Sequence, residues 1–243
     1  MTHFSFHEDD REGLLTLEAI SRAVQFNRWM FDQVSPFLNG DILEVGSGIG
    51  NISAFFLEQN ARITLSDIRS HYCDALKQRF QNDVTTVLTL DLVHPDFKSQ
   101  YKSLDASFDA AFALNVIEHI ENDSLAVENL NWLLKPGGKM VILVPAGQSL
   151  YNKLDKQLEH YKRYSKKSLN ALLIDAGFAV EKTKYFNALG IPAWWFSGSI
   201  LQNKIIKEGQ MDFYEKLVPL AKLTDQLLFN KTGLSVIGYG VKK

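Results

Sequence analysis

At 243 residues, 46% of them hydrophobic and 22% charged, the chain can bury one large core, which points to one α/β domain with insertions and not to two independent domains. A net charge of −2 offers no global field for nucleic acid or an anionic membrane, and the single cysteine, Cys73, excludes an internal disulfide and fits a reducing compartment. The opening MTHFSFHEDDREG is polar and acidic where a signal peptide is basic and then apolar, so a cytoplasmic location is expected.

Leu14, Leu15, Leu17, Ile20, Val24, Phe26, Trp29, Met30 and Phe31 recur near helical spacing, so residues 1–40 are expected to form a helical cap. Pro36 and the Asn39-Gly40 turn then lead into a strand carrying Ile42, Leu43 and Val45. The pattern next alternates: helix Asn51 to Gln59, strand Ala61 to Ser66, helix Ser70 to Phe80, strand Val84 to Leu90, and a polar connection to Asp105. Strand Phe108 to Leu114 and helix Ser124 to Leu134 follow, and the Lys135-Pro136-Gly137-Gly138 turn opens strand Lys139 to Val144. A polar, basic segment, Gln148 to Lys167, interrupts the alternation. Helix Ser168 to Ala176, stopped by Gly177, and strand Phe178 to Phe186 restore it. An insertion at 187–233 carries Trp194, Trp195 and an amphipathic stretch, Met211 to Phe229, before a last strand, Leu234 to Val241. Such alternation predicts an α/β fold with a doubly wound, mostly parallel sheet and ligands at the carboxyl ends of its strands. The longest uncharged interval, between Lys184 and Lys204, is too polar and broken for a membrane span of ~20 apolar residues.

The stretch Asp41 to Asn51, DILEVGSGIGN, joins the first strand to its helix. Gly46, Gly48 and Gly50 leave no side chain where the backbone must bend and a ligand come close. No Lys follows Gly50, as a phosphate-cradling GxxxxGK[ST] loop requires, and the GxGxG spacing departs from the GxGxxG of dinucleotide folds. With the acidic residue included, Glu44-Val45-Gly46-Ser47-Gly48-Ile49-Gly50 resembles motif I, E/DxGxGxG, of the class I S-adenosylmethionine-dependent methyltransferases, in their type 11/12-like small-molecule branch. The resemblance covers about residues 27–184 motif by motif. It implies a seven-stranded, Rossmann-like sheet whose last strand enters antiparallel beside the sixth. It also makes 41–186 a cofactor-binding core, 187–233 a substrate-side insertion and 234–243 the closing strand.

On that resemblance Asp67, followed by Ile68, ends the second strand and holds the cofactor's ribose; as a bland alternative it caps the next helix. Asp91 is expected against the adenine amino group with the Leu92 N–H on the ring, or else is a turn residue. Asn115-Val116-Ile117-Glu118-His119 resembles the family's N-x-x-E-H segment. It places Asn115 and Val116 beside the methionyl part and His119 near the substrate, unless His119 is structural. The Asp/Asn-Pro-Pro-Tyr motif of amino-methylating nucleic-acid enzymes is absent, which argues against base methylation.

His160-Tyr161-Lys162-Arg163-Tyr164-Ser165 resembles an H-x-R-R-Y-S segment that borders the acceptor pocket in part of the family. Lys162 replaces the first Arg, which puts a bidentate contact there in doubt. His160, Tyr161, Arg163 and Tyr164 are candidates to bind an anionic acceptor or take its proton; otherwise they form a solvated charged face. Trp29, Phe26 and Tyr161 are candidate aromatic neighbours of a sulfonium, and Trp194 and Trp195 either meet an apolar acceptor or pack an insertion helix. His3 and His7 look like tail residues, and His71 and His94 lack neighbours at metal-ligand spacing, so no metal is expected.

The resulting expectation is in-line methyl transfer from S-adenosyl-L-methionine to an oxygen or nitrogen of a small acceptor, apolar or lipid- or glycan-linked. His119 or His160 would serve as general base for a hydroxyl. A nicotinamide-dependent oxidoreductase and a catalytically inactive methyltransferase-like binding subunit are the alternatives. An RNA-directed role would rest on Lys153, Lys156, Lys162, Arg163, Lys166 and Lys167.

Overall fold

The computed structural model describes residues 11–83, 85–201 and 208–243; His3, His7, Val84 and the end of the uncharged interval lie outside them. The short apolar runs become the strands of one sheet. β1 (Ile42–Val45), β2 (Ile63–Asp67) and β3 (Thr86–Thr89) pair in parallel, and β1 also pairs with β4 (Phe108–Leu114), which pairs with β5 (Leu134–Pro145). Beyond β5, β6 (Phe178–Phe186) and β7 (Ser235–Lys242) complete the order β3-β2-β1-β4-β5-β7-β6, with β7 antiparallel to both its neighbours. The order reverses between β1 and β4, which opens a crevice at their carboxyl ends.

All four residues of β1 are buried, as a strand covered on both faces requires. The pleat sends alternate residues into two cores. Leu43, Ala111, Met140 and Ile142 face one core, which holds Leu130 and Leu133 of one helix and Leu169 and Leu173 of another. Ile42, Leu65, Phe112 and Val141 face the other, against Phe31, Phe55 and Phe56. Each such Leu- or Phe-sized side chain contributes about 1.5–3 kcal/mol relative to exposure.

The helices are α1 (Arg11–Ser21), α2 (Val24–Val34), α3 (Ser53–Glu58), α4 (Ser70–Arg79), α5 (Phe97–Gln100), α6 (Asp123–Leu133), α7 (Lys153–Gln157), α8 (Lys166–Asp175), α9 (Gly190–Trp195) and α10 (Glu208–Leu227). Two boundaries differ from expectation for local reasons. The polar connection before Asp105 forms the single turn α5, because Phe97 is apolar enough to be buried against Tyr101 and Trp132. The Lys135–Gly138 turn lies within β5: Leu134 already pairs with Phe108, and a register shift before Ala110 absorbs the extra residues.

The cap and the insertion meet. Glu215 on α10 accepts hydrogen bonds from the N–H groups of Gln25 and Phe26, at 2.6 and 3.2 Å, and so caps α2, whose preceding residue Ala23 has no side chain to do it. Asp225, near the end of α10, is buried and accepts the N–H groups of Asn187 and Ala188 at 2.7 and 2.8 Å, pinning the start of the insertion. Among the described residues no helix is long and apolar enough to cross a membrane.

Candidate active site

The bend after β1 is set by sterics. Gly46 has φ +69°, and a Cβ there would stand 2.3 Å from Cγ2 of Val116, so this position admits no side chain. Gly50 is needed for a different reason: a Cβ would meet the Phe80 ring at 2.6 Å, and the residue sits beneath Phe80 and Leu76 instead of lining the crevice. Glu44, Gly46, Ser47 and Gly48 do line it, together with Asp67, Ile68, Asp91, Leu92, Asn115 and Val116.

Glu44 is buried and accepts a hydrogen bond from the Ser53 hydroxyl. Burial pushes its carboxyl up to about 7, opposed by bonds from Ser53 and Ser47 and reinforced by the charge of Asp67. Asp67 accepts the Gly48 N–H on one oxygen and the Arg69 N–H on the other, both at 3.0 Å; burial raises its proton affinity against those bonds. It does not cap α4, whose N-cap residue is Arg69 and which has no side-chain capping hydrogen bond. Asp91 accepts the N–H of Val93 at 2.9 Å in a local turn and still borders the crevice. Asn115 takes a left-handed φ of +54° at the end of β4, its N–H bonded to the Leu143 carbonyl at 2.8 Å.

In the basic segment after β5, Asp155, His160, Arg163 and Tyr164 turn inward, while Lys153, Lys156, Tyr161 and Lys167 stay exposed. The Asn152 side chain caps α7, and the next helical turn brings in Asp155, which is fully buried. Oδ1 of Asp155 lies 2.9 Å from Nδ1 of His160 and accepts Nε–H of Arg163 at 2.8 Å, and Arg163 also donates to the Ala146 carbonyl at 3.0 Å. Burial opposes ionisation of Asp155, but the bonds from His160 and Arg163 and the guanidinium charge prevail and hold its carboxyl below the usual range. Arg163 is thereby neutralised by Asp155 and stacked on Trp194 at 4.7 Å, so it is not a free anion-binding group.

Opposite His160 stands Glu118, also fully buried, with Oε1 4.0 Å from Nε2 of His160 and neither oxygen hydrogen-bonded. Burial pushes this carboxyl up to about 8, with the residue's own backbone N–H and then Arg163 pulling the other way. The His119 ring packs edge-on against His160, centroids 4.7 Å apart, and burial, with His160 and Arg69 adding to it, drives its pKa down to about 3. His119 is therefore a neutral imidazole near pH 7.

These groups and the glycine bend line one continuous cavity of about 1320 Å³. That exceeds the ~300–1,000 Å³ of a typical single-ligand pocket, so it has room for two ligands. Leu17 of α1 leans over Gly48 and Asn51 donates to the Leu17 carbonyl at 3.2 Å, so the cap roofs the bend. Phe26, Tyr161, Trp194 and Phe196 line the cavity as well. Three expected acceptor residues do not. Trp29 packs on Phe186 at 4.3 Å in the core, because the buried stripe of α2 points at the sheet. The Tyr164 hydroxyl is buried and donates to Asp123 at 2.8 Å, and Trp195, 49% exposed, points outward. Sequence reasoning gave no role to Glu118 or Asp155. Glu118 stands within the N-x-x-E-H segment, which was the signal available for it, whereas nothing distinguishes Asp155 from the other charges of its polar run.

A glycine bend, carboxylates ending successive strands and a seven-stranded sheet with a reversed seventh strand together define a nucleoside-binding group-transfer fold. A methyltransferase-domain family model matches residues 43–140, which span β1 to the middle of β5. The sterol 4-C-methyltransferase strm-1 of Caenorhabditis elegans is 27% identical over 128 residues, which are 51% of this chain and 36% of that protein. The chain thus spans about a third of that curated relative's length. A SAM-dependent methyltransferase from Archaeoglobus fulgidus superposes with TM-score 0.62 at 18% identity, covering 96% of this chain and 100% of that one. Phosphoethanolamine N-methyltransferase 2 of Haemonchus contortus, solved with S-adenosyl-L-methionine, gives 0.61 at 16%, covering 96% and 58%. The fold is that of the class I S-adenosylmethionine-dependent methyltransferases, and residues 43–140 carry the match to the methyltransferase domain.

Proposed function

We propose that the chain transfers the methyl group of S-adenosyl-L-methionine to an oxygen or nitrogen of a small, largely apolar acceptor, lipid- or glycan-linked compounds included. The observation that carries this reading is the continuity of one cavity from the glycine bend to the Glu118, His119 and His160 cluster. The residues fit the cofactor: Gly46, Ser47, Gly48 and Asp67 line one end of the cavity, and each Asp67 oxygen keeps a lone pair for a ribose hydroxyl. Asp91 and Leu92 would hold the adenine, and Asn115 and Val116 the methionyl chain. The cofactor supplies an electrophilic sulfonium methyl, which leaves the protein to align the acceptor, exclude water and deal with a proton. Cap and insertion exclude the water. Of the two catalytic candidates, the Asp155-held His160 is the one placed to take the acceptor's proton; His119, its pKa driven down to about 3, is too weak a base for that and lines the acceptor end beside it. Tyr161 and Trp194 shape the acceptor end.

We also read the described elements as one domain, in which the cap and insertion complete the core's site. The buried, unpaired Cys73 supports a reducing, cytoplasmic setting. Calorimetry with S-adenosylhomocysteine, followed by transfer of labelled methyl to pooled hydroxyl and amine acceptors, tests the reading. Thermal stabilisation by NADH and none by S-adenosylhomocysteine would sink it.

A further inference from the structure

Glu118 is 0% exposed, both its oxygens lack a hydrogen-bond partner, and it faces the cavity. A buried carboxyl group with neither oxygen hydrogen-bonded is a rare feature that calls for a partner. We infer that Glu118, His119 and His160 form a binding site for a divalent transition-metal ion at the acceptor end of the cavity. This rests on reading the cavity as the methyl-transfer site.

The geometry supports a cation over a chance cluster. One ligand-type atom from each of the three residues lies within 4.8 Å of the other two. First-row ions hold His nitrogen and carboxylate oxygen at about 2.0–2.2 Å, which sets ligand atoms roughly 3–3.5 Å apart, so a modest contraction by side-chain rotation closes the site. The imidazoles are also backed as metal ligands usually are. Asp155 holds Nδ1 of His160 and is itself fixed by Arg163 and by the Asn152 N–H at 2.9 Å, which turns the Nε2 lone pair toward Glu118. The Leu158 backbone carbonyl acts on the ring of His119 from its own side. Two imidazoles and one carboxylate favour zinc, iron, cobalt, nickel or manganese over calcium and magnesium.

Three protein ligands leave coordination positions open, and the open side is the cavity. A hydroxyl oxygen of the acceptor fits there, which narrows the acceptor class to hydroxyl compounds. With both imidazoles committed to the ion and no longer available as bases, the bound hydroxyl would lose its proton to a water held at another open coordination position. An oxygen electron pair then forms the new C–O bond while the C–S pair returns to sulfur.

Chelator-stripped full-length protein without a polyhistidine tag is titrated with Co²⁺, followed by visible absorption, and then with Zn²⁺ in competition. The expected result is one Co²⁺ per chain, displaced by Zn²⁺, with Glu118→Gln and His119→Ala each weakening binding about 100-fold or more and Asp155→Asn about 10–100-fold. S-adenosylhomocysteine calorimetry on the same samples reports the crevice separately and checks that each variant folds. Cofactor-product binding with no Co²⁺ bound, or with Co²⁺ bound equally well by Glu118→Gln, overturns the metal site and leaves the methyl-transfer reading standing. Co²⁺ bound at this cluster with no S-adenosylhomocysteine bound supports the metal site and overturns the cofactor reading.

Discussion

Asp155 stands 2.9 Å behind Nδ1 of His160, and the same carboxylate oxygen accepts Arg163 at 2.8 Å, so one buried charge positions a catalytic candidate and neutralises a guanidinium. Breaking a buried pair by removing one partner leaves the other charge unsatisfied, at a cost of about 3–5 kcal/mol. Asp155→Ala is therefore expected to lower unfolding free energy by about that much in urea melts. A loss below about 1 kcal/mol would mean that water reaches Arg163 and that the site is not dry.

Glu44 gives stability a definite dependence on pH. Its carboxyl titrates near 7 in the folded chain because burial disfavours the charge, against an ordinary value of 4.5. Between those values the folded state binds more protons than the unfolded state, so this group's contribution is fully present below the unfolded pKa and is lost as pH rises through about 7. Glu118 acts with the same sign up to about 8. Glu44→Gln should therefore flatten, without abolishing, the fall in stability between about pH 5 and 7 measured by urea melts. Unchanged slopes in that window would show that Glu44 is hydrated.

The sheet was legible in the sequence because most of its strands are short apolar runs followed closely by Gly, Asp, Asn or Pro; Phe108–Leu114 and Phe178–Phe186 coincide with their expected bounds. The glycine bend was legible because sterics at Gly46 allow no other residue. The acceptor end was not. Composition shows charge in residues 148–167 but not which charges cancel, and the pairing of Asp155 with His160 and Arg163 depends on how α7 turns. Trp29 and Tyr164 misled for a related reason: an aromatic at a family-like position can face the core or the cavity, and helix phase or a buried partner such as Asp123 decides.

Two variants probe the cofactor crevice by different routes. Gly46→Ala pushes a methyl into Val116 at a left-handed φ, so S-adenosylhomocysteine affinity should fall together with a stability loss of about 1–3 kcal/mol. Asp67→Ala removes a charged acceptor of ribose hydroxyls, worth about 1.5–3 kcal/mol, so binding should weaken roughly 10- to 150-fold with the fold retained. Normal calorimetric affinity in Asp67→Ala would refute the ribose role.

Tyr164 has a structural job. Burial and the Asp123 carboxylate push its phenol up, so it remains a hydrogen-bond donor at all working pH. Tyr164→Phe removes that donor, though Lys162 still reaches Asp123 at 2.7 Å. Melting experiments should show a loss of about 1–3 kcal/mol, with KM for the acceptor unchanged. A raised KM at unaltered stability would return Tyr164 to the acceptor site.

Trp194 and Trp195 are adjacent in sequence yet differ in surroundings. Trp194 lines the cavity and stacks on Arg163, whereas Trp195 is 49% exposed and outside it. The cation–π contact with Arg163 contributes about 2 kcal/mol to stability, which Trp194→Ala removes, and losing an apolar ring from the cavity wall should also raise KM for the acceptor roughly 10-fold. Trp195→Ala should leave KM within about twofold, since an exposed side chain away from the ligand changes little. Steady-state kinetics on the two single variants decide the matter: equal effects would mean that the insertion reorients so that both rings face the acceptor.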